Sequence, residues 1–163
     1  MKYLALLGAA LLMLMPLVSS SYAQTSSNNR SNMITGSQIP DSLAWSSFFR
    51  HVERALNAEA TNPEMIKGIL HSTNLSEIDQ AVLKGVCIEW ATDHAAIQAA
   101  HHQAVVNGTE TGATVKNTMQ KTANLSLAKA AELQGQLSPV GWKILYAEIQ
   151  RHKNAIHADK GAF

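Results

Sequence analysis

A single cysteine, Cys87, excludes any disulfide within this chain, so its stability must come from packing. That cysteine also lies far from any N-terminal cleavage site, which rules it out as the lipid-bearing residue of a lipoprotein, and no prenylation box ends the sequence. Charge of either sign is scarce. The formal net charge is +1, and it falls to about zero once an N-terminal segment containing Lys2 is removed, leaving no basic excess to hold a phosphate backbone. Nucleic acid is therefore not an expected partner. Beyond that segment no apolar run approaches the roughly 20 residues of a spanning helix, and no Lys/Arg-rich amphipathic helix reads as lying on lipid. Motifs of known chemistry are missing too: no C-x-x-C-H, no H-E-x-x-H, no G-x-S-x-G, no phosphate-cradling glycine loop and no Glu-x-x-His pair.

What is present begins with residues 1–23. Lys2 supplies a positive start, residues 4–18 an apolar stretch, and Ser21 and Ala23 the small residues of a signal-peptidase site, so cleavage is expected after Ala23. A disulfide-poor exported chain fits a bacterial envelope, periplasmic or secreted. Residues 24–38 are rich in Ser and Asn with almost no large apolar side chain, and they read as a flexible linker. Residues 39–163 then form a single domain.

Within that domain Trp45, Phe48, Phe49, Val52, Ala55 and Leu56 recur at helical spacing from Asp41 to about Ala60. Asn62 before Pro63 starts a short second helix to about His71. Ser76 and Asp79 approximate a capping box for a long third helix, whose stripe reads Ile78, Val82, Val86, Trp90, Ile97, Ala104 and Val105 and which stops at Asn107 and Gly108. A fourth helix runs from about Thr114 to Gln136 with Val115, Met119, Leu127, Ala130 and Leu133 inward. Ser138 and Pro139 open a fifth, with Trp142, Leu145, Ile149 and Ile156 inward. No strand is expected. The class is all-α: a bundle of four longer helices and one short one, following a cleaved signal peptide and a disordered linker. Ala91, Ala95 and Ala99 would let a neighbouring helix, or a second copy in a homodimer, approach closely.

The seven histidines are the main candidates for chemistry. His71, His102 and His157 fall near helix ends, where a ring can donate to free carbonyls. His94 and His101 on helix three and His152 on helix five lie beside apolar stripes. If those helices were neighbours, one of the first two could join His152 at a zinc or copper ion, with Glu89, Asp93 or Glu148 orienting a ring. His94 and His101 cannot share an ion, because seven residues along a helix is about 10 Å. The same carboxylates beside a histidine would also serve a general base, provided an apolar pocket surrounds them. Without a catalytic motif, the leading expectation is a non-enzymatic binding or interaction module of the bacterial envelope that takes a protein or small ligand and needs no cofactor. The alternative is a periplasmic metal-binding bundle using His94, His101 and His152.

Overall fold

The computed structural model describes residues 33–159; the expected signal peptide and residues 24–32 of the linker lie outside them. The fold is all-α, built from α1 (Asp41–Asn57), α2 (Pro63–Ser72), α3 (Glu77–Val106), α4 (Gly112–Gln136) and α5 (Pro139–Ala155). Local chemistry accounts for the boundaries. The Ser76 hydroxyl accepts the Asp79 N–H at the start of α3, Thr111 and Thr114 form a reciprocal capping box on α4, and the Ser138 hydroxyl accepts the Gly141 N–H on α5. Gly108, at φ 65°, takes the left-handed conformation that turns the chain out of α3.

The last six residues of the expected linker are ordered. Met33–Thr35 form a short strand, β1, paired antiparallel with β2 (His157–Asp159), and Gly36–Gln38 form one 3-10 turn before α1. Composition alone missed this because a single apolar side chain, Ile34, is enough to anchor the ladder: it is buried, as is Ile39 just beyond. The two ends of the domain are thereby tied together outside the helical core.

Trp90 lies at the centre, fully buried, with Phe49 stacked on one face at 5.3 Å between ring centroids and His94 stacked at 4.4 Å. Around it α1 contributes Trp45, Phe48, Phe49, Val52 and Ala55, as its periodicity predicts, and α5 contributes Leu145 and Ile149. Helices α3 and α4 form an antiparallel hairpin, with Trp90 opposite Ser126 and Glu89 opposite Lys129. Two of the expected faces are rotated. Ile78 is 79% exposed and Val105 is exposed, while Leu83 and Cys87 join Val86 and Trp90 in the core. On α4, Val115, Met119 and Leu127 face outward, and the buried row is Thr122, Ser126, Ala130 and Leu133.

The reason is the polar requirement of Trp90. Its indole N–H donates to Ser126 Oγ at 3.0 Å, the Ser46 hydroxyl donates to the same oxygen at 2.8 Å, and the Ser126 hydroxyl donates to the Thr122 carbonyl at 2.9 Å. One hydroxyl thus uses its single donor and both lone pairs. An unpartnered buried indole would cost about 1 to 3 kcal/mol, comparable to what one large aliphatic side chain gives up when it stays in water. A second polar knot joins α3 to α5. The carboxylate of buried Asp79 accepts the Ser138 N–H at 2.9 Å, the Ser138 hydroxyl at 2.8 Å and the Ser76 hydroxyl at 2.9 Å. Those bonds, the Ser138 backbone N–H foremost, hold its carboxyl below the ordinary aspartate range against the opposing effect of burial.

Candidate functional site

The histidines singled out by sequence do not converge. His94 is buried, 6% exposed, and both ring nitrogens are engaged: Nδ1 faces the Glu53 carboxylate of α1 at 3.1 and 3.2 Å, and Gln98 Nε2 lies 3.1 Å from Nε2. With Gln98 donating to Nε2, the ring carries its proton on Nδ1 and donates it to Glu53. His101 meets Glu110, in the turn between α3 and α4, at 2.9 Å, and His152 meets Glu148 one turn back on its own helix at 3.1 Å. Each ring therefore has its own carboxylate. Among the described residues no three His, Cys, Asp or Glu side chains are grouped as a metal ion requires. Glu89 is bound to Lys129, which also holds Glu132.

Cys87 is buried beside Val86 in the core. Burial alone pushes its thiol up to about 12, so thiolate chemistry is closed to it while the domain is folded.

Among the described residues, open space is found in a cleft of about 920 Å³ between α1 and the first half of α4, with His152 of α5 at its edge. Its α1 wall carries Leu43, Ser47, Arg50 and Arg54 together with the buried Ser46 and Phe48; its α4 wall carries Val115, Lys116, Met119 and Ala123. The α4 wall stands clear because no described residue from Ala95 to Lys121 is buried. The outer half of the α3–α4 hairpin therefore presents both its sides to solvent or to a partner. Met119 is 47% exposed and Val115 is exposed beside it.

Charge in this cleft is of one sign. Arg50, His51, Arg54, Lys116 and His152 line it, and no Asp or Glu does. Neighbouring acids already have partners: Asp41 is held by Lys153 at 2.7 Å, Glu53 by His94, and Glu148 by Arg151 and by His152 at the cleft edge. Arg50, Arg54 and Lys116 form no ion pair with any described residue. Arg54 is also favoured where it stands by the last turn of α1, where the helix dipole attracts a cation. That argument does not extend to Arg50 or to Lys116, which lies near the positive start of α4.

Beneath the cleft, Thr122 is 3% exposed and its hydroxyl oxygen has no hydrogen-bond partner among the described residues. An unpaired buried hydroxyl is costly enough that such groups are rare in native proteins.

Reading the sequence overlooked this cleft. Arg50 and Arg54 are one turn apart on the polar side of α1, but Lys116 joins them only through the packing of α4. No helix among the described residues is long and apolar enough to cross a membrane. Compared with protein-family models, curated proteins and solved structures, the chain matches none. The functional argument therefore rests on the geometry.

Proposed function

We propose that this protein is an exported, non-enzymatic recognition module of the bacterial envelope that holds its partner or ligand in the α1–α4 cleft. The observation that carries the reading is the lining of that cleft, in which three permanently charged cations without a described carboxylate partner lie beside exposed aliphatic and thioether side chains. Gathering like charges on an unoccupied surface is unfavourable, and an incoming anion relieves it. Methionine at such a surface adapts to the shape of what it touches. The signal-like pattern of residues 1–23 supports export and a periplasmic or secreted location.

Against catalysis, the buried carboxylate–histidine pair Glu53–His94 has its second ring nitrogen occupied by Gln98, where a general base would need to face a substrate or nucleophile. The reading calls for no cofactor.

Native mass spectrometry of the protein recovered from its own cell tests it. The expected result is a companion of discrete mass that is retained by the wild type and lost in the double variant Arg50→Glu, Arg54→Glu. It should survive Lys143→Glu, an exposed position on α5 outside the cleft. Retention that ignores the cleft reversal, or turnover of a substrate by the purified chain, would refute the proposal.

A further inference from the structure

The shape and chemistry of the cleft constrain what can occupy it. The lining spans Gly112 to Ala123 on α4, about 16 Å of helix, and Pro40 to Arg54 on α1, about 21 Å. It is partly open to solvent, so an occupant that is apolar and acidic toward the protein and polar on its outer side suits it. An acyl chain has no polar back. A helix does: apolar side chains at i, i+3, i+4 and i+7 would meet Leu43, Val115, Met119 and Ala123, and carboxylates flanking that stripe would meet Arg50, Arg54 and Lys116. Arginine favours such pairing because its planar fork matches a carboxylate in a bidentate way.

The protein's own flanking segments have the wrong charge. Residues 24–32 contain Arg30 and no acid, and residues 160–163 contain Lys160 and no acid. Thr122, whose hydroxyl is buried and unpartnered among the described residues, lies in the lining of the same cleft.

Resting on the reading of this cleft as the binding site, we propose that its occupant is an acidic amphipathic helix of about three to four turns belonging to a protein partner.

The test uses the mature domain and a dye-labelled helix of about 14 residues, with leucine along one stripe, glutamate on both flanks and no Lys or Arg, followed by fluorescence anisotropy. Binding is expected at about 50 mM salt and should weaken markedly at about 500 mM. The Arg50→Glu, Arg54→Glu variant should bind about tenfold or more weakly, and Lys116→Gln should shift binding in the same direction by less. All three positions are exposed; the thermal melt of Lys116→Gln should match the wild type, and that of the double variant should fall by no more than the few degrees that reversing Arg54 against the α1 dipole accounts for. Equal binding of a glutamine-for-glutamate helix, or unchanged binding by both variants, overturns the proposal. So does binding to phosphatidylglycerol vesicles through these residues without binding to the helix, which would make the occupant a lipid surface. So does self-association of the chain through the cleft. A companion retained through the cleft that proves to be a lipid would sink the helix proposal and leave the recognition reading standing.

Discussion

Replacing Ser126 by alanine deletes one oxygen from the centre of the domain and should cost far more than its size implies. Ser126 is fully buried, and its hydroxyl receives the Trp90 indole N–H and the Ser46 hydroxyl while donating to the Thr122 carbonyl. In Ser126→Ala the Trp90 N–H loses its partner inside a ring environment with no access to water, a penalty of about 1 to 3 kcal/mol. Ser46 can turn back toward a carbonyl of its own helix, so its loss adds only about 0.5 to 1 kcal/mol. The Thr122 carbonyl keeps its helical N–H. The expected total is about 2 to 4 kcal/mol, or a fall of about 5 to 15 °C in Tm for a domain of this size. Urea unfolding followed by far-ultraviolet circular dichroism is the suitable assay, because the three tryptophans would mix in fluorescence. A cycle with Trp90→Phe isolates the interaction: with the indole nitrogen gone, Ser126→Ala should cost at least about 1 kcal/mol less. A Ser126→Ala protein within about 0.5 kcal/mol of wild type, or two changes that simply add, would show that this hydroxyl does not determine the face α4 buries.

Asp79 makes stability depend on acid. Its folded carboxyl titrates below its unfolded value, so its contribution is complete above about pH 4 and is lost as pH falls through the folded pKa. Asp79→Asn should be less stable at neutral pH and show a flatter acid limb in pH-dependent melts; an unchanged acid profile would contradict the assignment. Gly141→Ala tests the same knot sterically. A Cβ there would lie 2.7 Å from Asp79 Cγ and 3.0 Å from Ser138 Oγ, so a loss of about 1 to 3 kcal/mol is expected, and a neutral substitution would refute that close approach. Cys87 should resist a disulfide exchange reagent at pH 8 in the native protein and react at once in denaturant; rapid native labelling would show the thiol to be accessible.

Periodicity and capping residues were legible because they act locally. Ser76 and Ser138 satisfy N–H groups within a few residues of themselves, and the proline of α5 at its first turn needs no partner from elsewhere; the Thr111–Thr114 box on α4, equally local, was overlooked, and the helix begins two residues earlier than expected. The core face of α1 follows likewise, since its aromatic stripe has no competitor on that helix. Helix α4 is the contrasting case. It carries apolar residues on several sides, and a hydrogen bond to a tryptophan 36 positions away decides which side turns in. The cleft was hidden for the same reason: Lys116 belongs with Arg50 and Arg54 only after that rotation.

The sequence by itself determined five helices, their ends to within a few residues, and a signal-like start, all of which depend on composition or on residues within one or two turns of each other. Only the tertiary structure decided that His94 goes to Glu53 and His101 to Glu110, away from His152 and its neighbour Glu148, that residues 33–35 close a ladder with 157–159, and that the basic side chains of α1 and α4 line one cleft. Those outcomes depend on which helices pack side by side, a long-range condition that no local pattern encodes.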